Sequence, residues 1–449
     1  MVQEAPSSLR QRISQSKGIN TARQEPEDPI RTHDGKPNSH AHPNSRRGIR
    51  LNRVLGRIVP IILLVYVANA YDLVVVRHAY RQVYLQQGRL LPLGLWLVPT
   101  HALFFWSLRA YLRVFFAHSQ PPSRSHTNNQ SGVLSWLRSR FGATFADPDP
   151  ADTTISIASV VQGNDVTAEL CSADGEPIRC WRDSCNGRIK TFRMRHCGDC
   201  TTCRVGFDHH CAWFDNDVTA PSTLRPFISF LLSIPPLYTL GFAPLFRPTW
   251  RSFRSLAALA ASDAHIAEVW WGRWYSWIGG PVLRWIVALS LASKRRQEQA
   301  ADAIRAPVVI ALGAVFVLIA SALATSSLGS LRRGLLTIDV ERAKAYARLQ
   351  RQMQKLDAGQ EEKDALQKGL DSLGPTQHFR IAWTDPGTGE ARAEVVALSI
   401  DDGLLSHGST AANLRAFLAP SRTIPRPGWV LSESALRTLL TKANVSLHT

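Results

Sequence analysis

Along the chain, apolar residues are bunched into long runs, and the charged residues sit in the gaps between them. Four runs approach the roughly 20 apolar residues that a membrane-spanning helix needs. The first, VLGRIVPIILLVYVANAYDLVVV (54–76), has Arg57 near one end, where its side chain can snorkel, and Asp72 near the other. The second, LLPLGLWLVPTHALFFWSLRAYL (90–112), carries His101 in mid-span. The third, FISFLLSIPPLYTLGFAPLF (227–246), contains Pro235 and Pro236 and reads as a kinked helix, since membrane helices tolerate proline. The fourth, APVVIALGAVFVLIASALATSSLGSL (306–331), has no charge. A further stretch, WWGRWYSWIGGPVLRWIVALSLA (270–292), is interrupted by Arg273, Arg284 and the run Gly279-Gly280-Pro281. It reads as interfacial or re-entrant, because tryptophans favour the membrane–water boundary.

The intervals complete the organisation. Residues 1–50 are polar and predict a disordered tail. Residues 54–117 hold the first two spans and 118–170 form a linker. A cysteine-rich module occupies 171–222. Residues 225–335 hold spans three and four with a long interfacial loop. A basic juxtamembrane helix is predicted over 336–371, followed by a small domain over 374–449. In that domain HFRIAW (378–383) and ARAEVVALSI (391–400) flank a Pro-Gly turn and predict a hairpin, and STAANLRAFLAP (409–420) predicts a short helix. The expected fold class is therefore mainly α: a polytopic membrane protein with four transmembrane helices, a module between the second and third, and a small α/β appendage. Arginines before the first span, after the second and after the fourth (Arg53, Arg138 and Arg332 among them) put the module and both termini on the cytosolic side, whether in an endomembrane or the plasma membrane.

Charge fits this picture. Lys plus Arg number 52 and Asp plus Glu 35, a formal net charge of +17. Such a balance suits nucleic acid or an anionic membrane surface. The bunched apolar runs decide for the membrane, and no basic helix face accompanies the cysteines to enter a groove.

All seven cysteines lie between Cys171 and Cys211. Local clustering with histidines reads as metal binding in a reducing compartment. The segment CWRDSCNGRIKTFRMRHCGDCTTCRVGFDHHCAWFDNDV runs from Cys180 to Val218. Within it HCGDCTTC packs His196, Cys197, Cys200 and Cys203, with the Cys-x2-Cys spacing of a tetrahedral ion. With Cys180, Cys185 and His210 added, the donors exceed one zinc site and fit two, with a carboxylate such as Asp217 completing the set. The sequence alone leaves their partition open.

These residues resemble the cysteine-rich domain of the DHHC family of protein S-acyltransferases. The resemblance rests on Lys190 and Arg193, on His196 through Cys203, on DHHCAW (208–213), and on Asn216 with Val218. LTID (336–339) stands where the family carries a Thr-Thr-x-Glu motif and keeps Thr337. The family has two spans before the module and two after. The resemblance implies two structural zinc ions, one held by Cys180, Cys185, His196 and Cys203, the other by Cys197, Cys200, His210 and Asp217. The family has cysteine at the last position. Cys171 is left unassigned.

The resemblance also implies the chemistry. Cys211 would be the nucleophile, with His209 as its base and Asp208 orienting the imidazole. A thioester on Cys211 would carry palmitate from palmitoyl-CoA to thiols of membrane-associated protein substrates. Thr337 and Asn216 would support the site, and Lys190, Arg193 and Arg195 are candidates for the CoA phosphates. The competing reading is an inactive membrane scaffold with a structural zinc module.

Overall fold

A computed structural model describes residues 51–119, 133–145, 155–156, 166–185, 187–295, 300–355, 360–385, 387–419 and 431–445. The tail expected over 1–50 lies outside them.

Four helices are long and apolar enough to cross a membrane: Gly56–Gln86, Leu90–Phe115, Leu224–Ser262 and Arg305–Arg332. The four-span architecture read from the hydrophobic runs is present, but the helix ends differ. The first helix continues past position 76 as a π-helical winding, Asp72–Gln86. Arg77 and Arg81, which lie beyond the apolar run 54–76, are therefore on a helix. Asp72 makes this possible, because its carboxylate takes the guanidinium of Arg77 at 2.9 Å and that of Arg305, on the fourth span, at 2.7 Å. The reversal into the second span is left to Gly88, whose φ of 65° is the left-handed turn glycine favours.

The third helix runs 39 residues, through Pro235, Pro236, Pro244 and Pro248, well beyond the apolar run that predicted it. Its far half packs against the 16-residue helix Gly280–Arg295 through Leu256, Ala260, Ile266, Ala288 and Ala292. That shorter helix falls below the length of a span. Arg284 lies over the rings of Trp277 and Trp271, so the aromatic cluster neutralises the cation that interrupts the run.

After the fourth span, the single basic helix expected over 336–371 is two helices, Thr337–Lys355 and Gln360–Leu373. Arg342 donates to the carbonyls of Ser372, Leu373 and Gly374, which ties the end of the second helix back to the start of the first. The hairpin then forms, Thr376–Thr384 against Ala391–Ser399. Its sheet also takes in Thr167–Cys171 from the linker, paired to the first hairpin strand. Phe379, Ile381 and Leu398 share one core with Leu170, Phe192 and the helix Glu433–Lys442. The carboxy-terminal domain is thus closed by a strand from a segment remote in sequence. The helix Thr410–Leu418, capped by Ser409, packs elsewhere. Its Phe417 enters a core made by Cys211, Phe214, Phe227, Leu331 and Leu336. One apolar cluster therefore joins the module, three spans and the tail.

Candidate active site and metal centres

The cysteine-rich module is built from two short antiparallel hairpins, Arg195–Cys197 with Thr202–Arg204 and Phe207–Cys211 with Asn216–Thr219. The first turns at Thr201, whose φ of 55° is left-handed, and the Cys200 amide donates to Cys197 Sγ at 3.3 Å. In the second, His209 and His210 point to opposite faces, as neighbours on a strand must. His210 stands directly across from Asp217 and Cys211 across from Asn216. The strand period thus separates His210, which faces the metal-capable cluster, from His209 on the opposite face.

Two donor clusters result. Cys180, Cys185, His196 and Cys203 form one, and Cys197, Cys200, His210 and Asp217 the other, the ligand atoms within 4.8 Å of one another in each. His196 Nδ1 lies 3.8, 3.2 and 3.9 Å from the sulfurs of Cys180, Cys185 and Cys203. His210 Nδ1 lies 3.7 and 3.5 Å from those of Cys197 and Cys200, and 3.0 Å from Asp217 Oδ1. Tetrahedral zinc with bonds of about 2.0–2.3 Å sets ligands roughly 3.3–3.8 Å apart, and the separations in both clusters lie within about 0.3 Å of that range, so the donor sets suit the ion. Asp217 is fully buried, and Arg204 donates to its second oxygen at 3.2 Å. The arginine leaves one carboxylate oxygen facing the cluster, and its guanidinium stacks on Phe145 at 3.9 Å.

Asp208 is buried on the other face. It accepts from His209 Nδ1 at 2.6 Å, from Thr337 N at 2.7 Å and from Thr337 Oγ1 at 2.9 Å. Thr337 opens a helix, so the carboxylate also sits at the positive end of a helix dipole. Burial alone would depress the His209 pKa, but hydrogen bonds and charge from Asp208 and Cys211 outweigh it and push the imidazole up to about 10. The arrangement favours a charged imidazolium held by the Asp208 carboxylate beside Cys211. The ring is steadied edge-on by Phe227, with centroids 5.2 Å apart. Asn216 Nδ2 donates to the carbonyls of Val114, Phe115 and Ala117, closing the end of the second span and fixing the module to it.

The three cationic candidates separate. Lys190 is half-buried and Arg195 exposed on the module surface. Arg193 is not available to a phosphate: its side chain is 2% exposed and pairs with Asp339 at 2.9 Å. It also donates to Gly334 O at 2.6 Å. Asp339 in turn accepts from Leu336 N at 2.9 Å, half of a capping box at the start of the Thr337 helix. The charge of Arg193 is spent inside the protein, holding the element that carries Thr337.

Sequence reasoning missed Asn413. Buried in the helix Thr410–Leu418, it donates to Arg332 O at 2.9 Å and accepts from His407 N at 2.6 Å, fastening the tail to the end of the fourth span. An asparagine inside a predicted helix, where it is a poor former, was the available signal.

The spans line a cavity of about 320 Å³. All four contribute to its wall, from Trp213, Tyr111 and Phe230 near the module to Val75, Thr100 and Phe242. Tyr111 donates to Trp213 O at 3.0 Å and so ties the wall to the turn that follows Cys211.

A search of curated proteins finds no match to the chain. Residues 176–340 match the family model of the DHHC palmitoyltransferase domain, which covers the module, the third and fourth spans and Thr337.

Proposed function

From the DHHC palmitoyltransferase domain that the chain carries, we propose that it is a protein S-acyltransferase that moves a long fatty acyl group from acyl-CoA, through a thioester on Cys211, to cysteine thiols of membrane-associated proteins. The observation that carries the reading is the pair of buried Asp208 and His209 beside Cys211, in a chain whose four spans wall a cavity reaching Trp213, two residues after that cysteine.

In the first step His209 holds the proton taken from Cys211. The Cys211 sulfur attacks the acyl carbonyl carbon, a carbon–sulfur bond forms, and the bond to CoA breaks. CoA leaves as a thiol by taking the proton from His209. In the second step the substrate thiol gives its proton to His209, its sulfur attacks the Cys211 thioester, and Cys211 departs to recover the proton. One thioester is exchanged for another in each step, so no nucleotide is consumed. Asp208 orients the imidazole and stabilises its charged form, and Thr337 holds Asp208. The acyl chain lies in the cavity, where each buried methylene contributes about 0.8 kcal/mol. Lys190 and Arg195 are the cations placed to meet CoA phosphates. Cys180, Cys185, His196 and Cys203 would hold one zinc ion and Cys197, Cys200, His210 and Asp217 another, which would supply rigidity to the hairpins. In this reading the module and both termini are cytosolic, which the arginines flanking the spans support.

Purified chain incubated with labelled palmitoyl-CoA should take up label that neutral hydroxylamine releases, and Cys211→Ser should take up none. Undiminished labelling of Cys211→Ser would remove Cys211 as the nucleophile. A wild-type chain that never labels would leave the scaffold reading.

A further inference from the structure

His101 has no part in the chemistry above, yet it lies in the middle of the second span and lines the cavity. An ionisable side chain at that depth costs free energy and marks a functional position unless its polar atoms are satisfied. One of them is: Nδ1 is 2.9 Å from the Leu97 carbonyl, one turn back along the helix. A ring nitrogen facing a carbonyl oxygen carries the hydrogen, so in the neutral ring Nε2 is an acceptor. No hydrogen bond reaches Nε2 among the described residues. Nor is it among the buried polar atoms sealed off without a partner, so it remains open to the space beside it. The ring is held in this pose, edge-on to Tyr71 at 6.0 Å and tilted against Phe105 at 6.2 Å.

Several other polar groups of the wall are already paired, although Tyr66 and Tyr71, each with a hydroxyl, also line it. Thr100 donates to Trp96 O, Ser107 to Ser233, Tyr111 to Trp213 O and Tyr238 to Ile310 O. His101 therefore presents an unused nitrogen acceptor on a largely apolar lining. Its depth is set by the helix. It lies ten residues before Tyr111, which hydrogen-bonds Trp213 two residues after Cys211, and ten residues rise about 15 Å. An extended chain with carbon–carbon bonds of about 1.5 Å covers that distance in roughly twelve carbons.

We propose that the cavity selects fatty acyl chains bearing a hydroxyl near carbon 12, with His101 Nε2 as the acceptor of that hydroxyl. A plain alkyl chain leaves the nitrogen unpaired against hydrocarbon, whereas a hydroxyl at this depth satisfies both partners. Satisfying one buried acceptor corresponds to about tenfold in transfer rate. The proposal rests on the acyl-transfer reading of the cavity.

The test is competition on the purified full chain between stearoyl-CoA, 12-hydroxystearoyl-CoA and 2-hydroxystearoyl-CoA, read as hydroxylamine-sensitive label on Cys211. The expected result is a preference of about tenfold for the 12-hydroxy chain over stearate, with none for the 2-hydroxy chain. In His101→Leu the ratio of 12-hydroxystearoyl to stearoyl transfer should fall to one or below. His101→Gln, which keeps an acceptor oxygen, should retain part of it. Equal transfer of the two chains by the wild type, equal preference for the 2-hydroxy chain, or an unchanged ratio in His101→Leu would each overturn the proposal while leaving acyl transfer intact. Absence of label from all three donors would instead strike at the acyltransferase reading.

Discussion

Arg193→Met tests whether the Arg193 charge serves the fold or the acyl donor. The guanidinium is 2% exposed and Asp339, 2.9 Å away, is 11% exposed. Removing the arginine deletes the ion pair and the hydrogen bond to Gly334 O, and strands a nearly buried carboxylate. Breaking one side of a buried pair costs about 3–5 kcal/mol. Because Asp339 caps the helix that begins at Thr337, the loss should extend to the hydrogen bonds that Thr337 gives Asp208. Arg193→Met should therefore lower the unfolding midpoint and kcat, with little change in KM for acyl-CoA. Asp339→Leu should behave the same way. The double variant should be more stable than the sum of the two predicts, because neither charge is then left alone. Unfolding followed by tryptophan fluorescence in detergent, with steady-state kinetics on the same samples, gives both quantities. An unchanged midpoint in Arg193→Met, with KM for acyl-CoA raised tenfold or more, would refute the argument and return Arg193 to the CoA site.

Metal analysis should find two zinc ions per chain; Asp217→Ala should retain one, and Asp217→Cys two. Asn413→Ala removes the hydrogen bonds to Arg332 O and His407 N and should cost about 2–3 kcal/mol, read in the same unfolding assay. Gly56 lies against the Asp215 carboxylate, which a Cβ would strike, so Gly56→Val should displace the first span from the module and weaken labelling of Cys211. Burial, with the charge of Arg193, lowers the His407 pKa from 6.5 to about 4. The unfolded chain then binds more protons between those values, so stability should be complete above pH 6.5. It should fall by up to about 3 kcal/mol as pH drops toward 4. His407→Gln should flatten that acid limb; an unaltered limb would show another group responsible.

Much was legible in the residues because it depends on local pattern. A run of about twenty apolar residues has few destinations but a bilayer, so four spans could be counted without coordinates. The density of Cys and His donors called for two metal sites, and strand alternation alone allows His209 and His210 different tasks. Their partition into two clusters waited on the cross-strand register, which sets His210 opposite Asp217. Nothing local announced that Thr167–Cys171 would close a sheet with Thr376–Thr384, since pairing across that separation is a tertiary choice. Arg193 shows the limit most clearly. In sequence it is one more basic residue beside a cysteine cluster; burial next to Asp339 converts it from a candidate ligand group into an internal support. The sequence by itself determined which residue types could do chemistry and roughly where the membrane lay. Only the tertiary structure decided which charges face the solvent and which face each other, because desolvation and pairing depend on neighbours that the chain brings together from afar.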